Sequence, residues 1–288
     1  MKKAIVLASH AYSFADYFYR ALLKFLYVIR GRIPWTSGYD VYKYDYITDV
    51  INSHQLDAFV TGSLPYRYGY RMDERVVEYP WFFSRLKEHE QIILDAGSVL
   101  NFRQFLANDK LAAKNIYIAT LFYEGRPKIP RSPSYIYEDL RDLCFKDDFF
   151  DAVCSLSTIE HIGYDNTMIY TPDASKREHD KNAHLIAIQE CKRVLKKGGH
   201  FYLSVPFGTW RDHGWFQVFD TKMIKKVIDV FNPSNLTISY FKYSNNQWNY
   251  SDEASCREGY CFDIHHNKKY ELDYLAFSRC VICIDMTK

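Results

Sequence analysis

The sequence predicts an α/β fold built on a doubly wound, mostly parallel sheet of seven strands, preceded by a helical extension. From about residue 89 onward, short apolar runs alternate with longer amphipathic or polar stretches, a pattern typical of strands connected by helices. Before that point, residues 1–88 contain helix-like segments and loops without a sustained period-2 alternation. With 288 residues, we expect one large domain, 89–288, with residues 1–88 as an N-terminal extension that caps it.

Seven apolar runs account for the strands, at 91–95, 115–120, 134–138, 151–157, 199–206, 236–243 and 279–286. Helices are expected at 101–109, 182–196 and 221–231. The helix at 182–196 has the clearest ends, with Asn182 as its cap and Gly198-Gly199 after its last turn. Open sheets of this kind bind ligands at the carboxyl ends of their strands, near the point where the strand order reverses.

The overall composition disfavours a nucleic-acid binder, because the formal net charge is only +2 and such proteins usually carry a strong basic excess on one face. The chain is rich in aromatic residues, with 25 Tyr and 20 Phe. We interpret most of them as core or half-buried surface, and a minority as the lining of a polar ligand cleft.

The seven cysteines predict reduced, buried thiols in a cytoplasmic protein, since their number is odd and several lie in strand-like runs. Cys256, Cys261, His265 and His266 resemble a metal cluster superficially, but their spacing fits no common zinc pattern. We therefore expect no metal.

The N-terminus begins with two lysines and an apolar run of about five residues, too short for a signal peptide or a spanning helix. Residues 14–30 are expected to form an amphipathic helix. The helix either packs on the domain or, at most, associates peripherally with a membrane surface.

Four motifs lie at or beside the ends of the predicted strands. They are Asp95-Ala96-Gly97-Ser98 after the first strand, Glu138-Asp139-Leu140 after the third, "FDAVCSLSTIEH" around the fourth, and "RVLKKGG" before the fifth. In this order and spacing they resemble the motifs of class I S-adenosylmethionine-dependent methyltransferases, over residues ~90–245. The resemblance implies a Rossmann-like methyltransferase fold with S-adenosyl-L-methionine as cofactor.

The resemblance also assigns cofactor-binding roles at the strand ends. Gly97 lets the backbone approach the methionine tail, Ser98 and the following amides donate to its carboxylate, and Asp95 orients the loop. Asp139 and the Leu140 amide are expected to meet the adenine, although Asp139 also fits a simple turn residue. Ser157 at the end of the fourth strand and Tyr79, in the segment before the sheet, complete the set, with Arg75 and Glu78 as neighbouring candidates.

The first loop departs from the family pattern, because Val99 and Asn101 stand where glycine is common. We expect Val99 in ordinary backbone geometry and a path that depends less on glycine. The acid that grips the ribose is also displaced. The second strand ends near Thr120, and Glu124 is the first acid after it, so either Glu124 reaches back or Thr120 and a neighbour replace it.

His161 is the candidate general base, since it follows the fourth strand where this fold presents the methyl group, and an unperturbed imidazole titrates near neutral pH. A histidine that only shapes the loop is the alternative.

The insert at 163–182 and the loop at 206–220 are expected to form lids. Tyr164, Trp210, Arg211 and His213 are the candidate substrate-binding residues, suited to a sugar-like ring by stacking and hydrogen bonding. Trp215 fits a lid over the cofactor equally well.

Two stretches, "DERVVEYPW" (73–81) and "HGWFQVFD" (213–220), resemble a subgroup of these methyltransferases associated with bacterial surface-polysaccharide synthesis. The expected reaction is methyl transfer to O or N of a small-molecule or carbohydrate acceptor. A catalytically degenerate binding protein with this fold remains the main alternative. A dinucleotide oxidoreductase would need G-x-G-x-x-G where "GSVLNF" stands. A nucleic-acid methyltransferase would need an Asn/Asp-Pro-Pro-Tyr/Phe motif where "STIE" stands. Self-association is left open.

Overall fold

The computed structural model describes residues 18–263, Glu271, Asp273 and 277–288. The described part of the first helix, α1, covers 18–29. The other helices are α2 (Tyr39–Ile51), α3 (Ala58–Thr61), α4 (Arg75–Arg85), α5 (Arg103–Leu106), α6 (Asp109–Ala112), α7 (Thr167–Tyr170), α8 (His184–Val194), α9 (Thr221–Phe231) and α10 (Glu253–Cys256). Short 3-10 turns lie at His54–Asp57, Ile159–His161 and Ala174–Lys176.

Ten strands are present in the described residues, and eight of them form the main sheet. They are β1 (Ile92–Ala96), β2 (Asn115–Thr120), β3 (Ser134–Tyr137), β4 (Phe150–Leu156), β5 (Leu195–Pro206), β6 (Arg211–Asp212), β7 (Gln217–Val218), β8 (Asn235–Ser244), β9 (Gln247–Ser251) and β10 (Cys280–Thr287). The main sheet has the order β3-β2-β1-β4-β5-β10-β8-β9, and β6 pairs with β7 separately.

The predicted doubly wound, mostly parallel sheet is confirmed. Strands β3, β2, β1, β4 and β5 are parallel to one another, and β10 inserts antiparallel between β5 and β8. The chain moves outward from β1 to β3 and then returns to β4 on the other side of β1. The strand order therefore reverses between β1 and β4, which places the expected ligand site at their carboxyl ends.

The sheet has eight strands, whereas seven were predicted. The additional strand is β9, which forms an antiparallel hairpin with β8. The two residues of its turn, Asn245 and Asn246, both have left-handed backbone angles, as a two-residue type I′ turn requires. The pair Asn-Asn is a signal for such a turn, but the strand after it, QWNYS, is too polar to stand out.

The predicted helix at 101–109 is wrong in length, because two short helices, α5 and α6, occupy this region. Asn108 divides them, since its side chain accepts a hydrogen bond from the Lys110 amide (3.0 Å) and caps a new helix. The helix predicted at 221–231 has the observed bounds, and the one predicted at 182–196 is α8 with slightly shorter ends.

Two apolar layers flank the sheet. One contains the N-terminal helices, with Trp81, Phe82 and Phe83 of α4 against the sheet. The other packs α8 and α9 against the opposite face, through residues such as Ile188 and Val227. Because α4 shares a continuous core with the sheet, its residues hold a fixed position beside the ends of β4 and β5.

Helix α1 is attached to α2 by ion pairs from Arg20 and Lys24 to Asp45 (2.8 and 2.6 Å). Its outer side leaves several apolar side chains exposed, namely Phe18, Leu22, Phe25 and Ile29. None of the described helices has the length and apolar content needed to cross a bilayer.

All seven cysteines are free thiols, and only Cys144 is exposed. Within the described part of the chain, no group of three or more His, Cys, Asp or Glu residues is placed to hold a metal ion. His265 and His266 of the candidate metal cluster lie outside the described residues.

Candidate active site

Two cavities meet beside the carboxyl ends of β1 and β4. The first, which we call the strand-end cavity, has a volume of about 610 Å³ and is lined by the loops after β1 to β4 and by the insert 163–182. The second, the lateral cavity, has a volume of about 670 Å³ and lies between α2, the start of α4 and the loop 206–220. Four residues line both cavities: Arg75, Ser157, His161 and Trp215.

The loop after β1 forms the floor of the strand-end cavity. Gly97 has a φ of 124°, and a Cβ at this position would lie 2.2 Å from Thr158 Oγ1. This glycine is therefore needed for the close approach of the β1 and β4 loops. Val99 is not among the residues with positive φ, as expected. Ser98 adopts the left-handed conformation instead, with a φ of 63°.

The side chain of Asp95 fixes the backbone of this loop. It is fully buried, and its carboxylate accepts hydrogen bonds from the amides of Val99 (3.1 Å) and Leu100 (2.7 Å). Burial raises the pKa of Asp95 to about 7, against the opposing effect of these two amides. Tyr79 supports the same loop, because its hydroxyl donates to the Val99 carbonyl (2.6 Å). Neither side chain is among the described residues that line a cavity.

The Ser98 hydroxyl is buried and has no hydrogen-bond partner in the described structure. Gly97 and Val99 line the strand-end cavity on either side of it, whereas Ser98 itself is not a lining residue. At the end of β2, Thr120 lines the cavity and donates from Oγ1 to Glu124 Oε1 (3.0 Å). Glu124 itself does not line the cavity. Its side chain is hydrogen-bonded to Thr120, and we call the two side chains the Thr120–Glu124 unit.

The loop after β3 brings Asp139 and Leu140 to the strand-end cavity. The Asp139 carboxylate accepts from the backbone amide and the guanidinium of Arg141 (2.6–2.9 Å). Although partial burial opposes it, these hydrogen bonds lower the pKa of Asp139. Arg141 also donates two hydrogen bonds to Glu178 (both 2.7 Å). Because Glu178 belongs to the insert 163–182, this contact ties the insert to the loop after β3 at the wall of the cavity.

His161 lies where the two cavities join. Its Nδ1 is 3.0 Å from the carbonyl oxygen of Trp215. Since a carbonyl only accepts hydrogen bonds, Nδ1 carries the proton, and Nε2 of the neutral ring has a free electron pair. Burial lowers the pKa of His161 to about 4, although the hydrogen bond to Trp215 opposes the shift. The ring is therefore neutral at pH 7.

Behind the junction, Glu78 of α4 connects the ends of β4 and β5. Its fully buried carboxylate accepts hydrogen bonds from Ser157 Oγ (2.5 Å) and Ser204 Oγ (2.7 Å). Arg75 donates to Glu78 Oε2 (3.1 Å) and to the Leu156 carbonyl (2.9 Å). Ser157, which lines both cavities, is thus positioned by a side chain of the N-terminal extension.

The four predicted substrate-binding residues are separated in the structure. Tyr164 lines the strand-end cavity, and its hydroxyl donates to Gln217 Oε1 (3.0 Å). Trp210, Arg211 and His213 are absent from the described lining of both cavities. His213 stacks on Phe216 with its ring centroid 4.4 Å away. From the loop 206–220, Trp215 lines both cavities and Phe216 lines the lateral one.

Apart from Arg75, Ser157, His161 and Trp215, the residues that form the lateral cavity were not predicted individually from the sequence. The most polar of these lie on α2, at the start of α4 and directly before His161, namely Asp40, Lys43, Asp73, Glu74 and Glu160. Only Glu160 carried a signal that could have been used, because an acid just beyond the end of a parallel strand lies at the edge where ligands bind.

Residues 110–203, from before β2 into β5, match the family model described as a methyltransferase domain. No protein with a curated description matches the chain. A S-adenosylmethionine-dependent methyltransferase from Archaeoglobus fulgidus is similar over 76% of this chain and 96% of its own, with 13% identity and a TM-score of 0.45. One from Methanosarcina mazei matches over 72% and 96%, with 13% identity and a TM-score of 0.42.

A third similar structure is 1,6-didemethyltoxoflavin-N1-methyltransferase from Burkholderia thailandensis, with bound 1,6-didemethyltoxoflavin and S-adenosylhomocysteine. It has 12% identity and a TM-score of 0.39, over 69% of this chain and 72% of its own. The match over residues 110–203 supports a S-adenosylmethionine-dependent methyltransferase, with S-adenosylmethionine as its cofactor.

Proposed function

We propose that this methyltransferase transfers the methyl group of S-adenosylmethionine to an oxygen or nitrogen of a small or carbohydrate acceptor. The cofactor would occupy the strand-end cavity, and the acceptor the lateral cavity. The observation that carries the proposal is the junction of the two cavities at Arg75, Ser157, His161 and Trp215. A displacement reaction needs such a junction, because the nucleophile must reach the methyl group in line while water is excluded.

The residues of the strand-end cavity fit the cofactor. Gly97 lines this cavity, and its missing Cβ lets the loop after β1 lie against Thr158. The Thr120–Glu124 unit offers oxygens to the ribose hydroxyls. Asp139 and the Leu140 amide lie where the adenine edge would be recognised. Ser98 stays a proposed contact of the tail carboxylate, supported by its buried hydroxyl without a partner.

Bound S-adenosylmethionine supplies a methyl group on a positively charged sulfur, so that the acceptor's electron pair forms the new bond to carbon while the carbon–sulfur pair returns to sulfur. His161 would then take the acceptor's proton on Nε2, since Nδ1–H is held by the Trp215 carbonyl. Glu78 keeps this arrangement in place through Ser157 and Arg75. The insert 163–182 and Trp215 would exclude water.

The experiment is methyl transfer from S-adenosylmethionine to a panel of sugars, nucleotide sugars and small amines, followed as S-adenosylhomocysteine release and as the mass of the added methyl group. His161→Ala should lower turnover by ~10²–10⁴ with cofactor affinity nearly unchanged. His54→Gln, on an exposed turn, is the control. Turnover that survives in His161→Ala would remove this residue from the mechanism.

The proposed place in surface-polysaccharide synthesis is supported by the two stretches that resemble that subgroup, 73–81 and 213–220. Both contribute to the lateral cavity, through Glu74, Arg75, Trp215 and Phe216. A segment of the acceptor's cavity would thus come from each stretch. Transfer to nucleotide sugars in the panel supports this role, and transfer confined to non-sugar acceptors contradicts it.

A further inference from the structure

The lateral cavity contains more acids than bases among the buried groups at its inner end. With a volume of about 670 Å³, it has the size of a small-molecule site. Asp73, Glu74 and Glu160 line it, together with the cations Lys43 and Arg75, and Glu78 lies directly behind Arg75. This set has four carboxyl groups and two cations, an excess of two acids.

The ammonium of Lys43 already forms an ion pair within the protein. It lies 2.7 Å from Asp73 Oδ2, and Tyr39 donates to the same oxygen (2.9 Å). The ammonium also lies over the rings of Trp35 and Tyr44, 5.0 and 5.1 Å from their centroids. Lys43 and Asp73 are both almost fully buried and form a buried ion pair, and the more exposed Asp40 also lies 3.2 Å from the ammonium. The same rings show that aromatic faces suited to a cation line this cavity.

The Arg75 guanidinium also has partners within the protein, because it donates hydrogen bonds to Glu78 Oε2 (3.1 Å) and to the Leu156 carbonyl oxygen (2.9 Å). Neither cation forms an ion pair with Glu74 or Glu160 in the described part of the structure. Glu74 Oε2 accepts a hydrogen bond from the Ser278 amide (3.3 Å). Glu160 is only 2% exposed, and its Oε2 has no hydrogen-bond partner among the described residues.

A buried acceptor atom without a donor is costly, by roughly 1–3 kcal/mol, and here it belongs to a residue that lines a cavity. Burial, reinforced by the nearby Glu78, raises the pKa of Glu160 well above its ordinary range. Burial and repulsion from Asp73 raise the pKa of Glu74 to about 8. The titratable and charged groups around Glu160 are Glu74, Arg75, Glu78, His161 and Cys261. Without a ligand, burial thus favours the protonated form of Glu160.

We infer that the acceptor carries an amino group, and that its ammonium binds in the lateral cavity against the Glu160 carboxylate with Glu74 beside it. An ammonium supplies both the missing hydrogen-bond donor and the missing positive charge, whereas a hydroxyl supplies only the donor. An anionic group would meet uncompensated acids. The inference rests on the proposed function, because it names the class of acceptor for the same site.

The test is calorimetric titration of the full chain, saturated with S-adenosylhomocysteine, with matched amines and alcohols: glucosamine with glucose, and benzylamine with benzyl alcohol. Each amine should bind at least about tenfold more tightly than its partner, the ratio equivalent to one modest ion pair. Because burial raises the pKa of Glu160 and pairing with an ammonium lowers it again, binding should be accompanied by proton release, measured by repeating the titration in buffers of different ionisation enthalpy.

Glu160→Gln should abolish both the preference for amines and the proton release. Gln is close to Glu in shape and carries no charge, so the variant should fold, and Glu160→Asp is the second variant if it does not. Asp229→Asn, on the exposed face of α9, is the control.

Equal binding of amine and alcohol, no binding of either amine, or a preference that persists in Glu160→Gln would overturn the inference. Titration with S-adenosylmethionine alone tests the proposed function separately. If the cofactor does not bind, the proposed function fails; if it binds and the amines behave like alcohols, only the inference fails.

Discussion

The carboxylate of Glu78 accepts a hydrogen bond from the hydroxyl of Ser157 at 2.5 Å, across 79 positions of sequence. This contact joins the N-terminal extension to the strand end where both cavities meet. The same carboxylate accepts from Ser204 and pairs with Arg75. Helix α4 therefore contributes to the site itself, in addition to covering one face of the sheet.

Replacing Glu78 with Ala should destabilise the protein by about 3–5 kcal/mol, because it leaves a largely buried guanidinium and two buried hydroxyls without their acceptor. Urea unfolding followed by far-UV circular dichroism measures the change. Glu88→Ala is the matched control, since Glu88 is an exposed glutamate in the turn after α4. A change below about 1 kcal/mol would mean that water replaces the carboxylate, and that α4 does not fix the strand ends through this residue.

The strain at Ser98 gives a second prediction. A serine with a φ of 63° bears a left-handed cost of about 1–2 kcal/mol that glycine avoids, partly offset by glycine's greater freedom in the unfolded chain. Ser98→Gly should therefore stabilise the cofactor-free protein by about 0.5–1 kcal/mol, measured by urea unfolding. Gly97→Ala should have the opposite sign, because its Cβ would collide with Thr158.

The same variant separates the two roles of Ser98. Because its buried hydroxyl is a proposed donor to the cofactor carboxylate, we expect Ser98→Gly to bind S-adenosylhomocysteine about tenfold or more weakly than wild type, as the loss of a hydrogen bond to a charged group implies. An affinity within about threefold of wild type in calorimetry would remove the hydroxyl from the cofactor site.

The Arg141–Glu178 contact ties the insert 163–182 to the loop after β3 at the wall of the strand-end cavity. Both side chains are partly exposed, so the pair is screened and worth at most about 1 kcal/mol. Glu178→Ala should accordingly speed release of S-adenosylhomocysteine by about two- to fivefold in stopped-flow measurements, with a smaller effect on its association. Arg177→Ala, in the same insert but paired with Asp165, is the control. An unchanged release rate would show that the insert opens without breaking this contact.

The sheet could be predicted closely because apolar strands in a parallel core stand out locally. The observed β2 has the predicted bounds, and β1, β3 and β4 differ from prediction by one residue at most at either end. The cofactor-side residues also follow the strand ends, which is why Gly97, Asp139 and His161 come together at the strand-end cavity.

The lateral cavity could not be predicted in the same way. The buried ion pair in this cavity joins Lys43 to Asp73, thirty positions apart. The walls of the cavity come from α2, α4 and the loop 206–220. Nothing in the local sequence of α2 marks Lys43 as buried, because lysine is ordinarily exposed. The loop 206–220 was expected to present Trp210, Arg211 and His213 to the acceptor. In the structure the short β6–β7 pairing directs Trp215 and Phe216 to the cavity instead.

Two histidines with lowered pKa, the half-buried His161 and the buried His184, give the protein a defined sensitivity to acid. His184 at the start of α8 is 1% exposed, and its Nε2 has no hydrogen-bond partner among the described residues. Burial lowers its pKa to about 4, whereas an unfolded histidine titrates near 6.5. Between these values the unfolded chain holds a proton that the folded protein lacks, so stability falls as the pH is lowered from about 6.5 towards 4.

His184→Gln removes this linkage. One such group changes stability by about 1.4 kcal/mol per pH unit inside its window, so the loss of unfolding free energy between pH 7 and pH 4.5 should be smaller by about 2 kcal/mol in the variant than in wild type. The comparison cancels the carboxyl groups that titrate in both proteins. His54→Gln, at an exposed position, should follow the wild-type curve. Parallel curves for wild type and His184→Gln would mean that His184 becomes protonated without unfolding, and that Gln217 and the neighbouring carbonyls accommodate the charge.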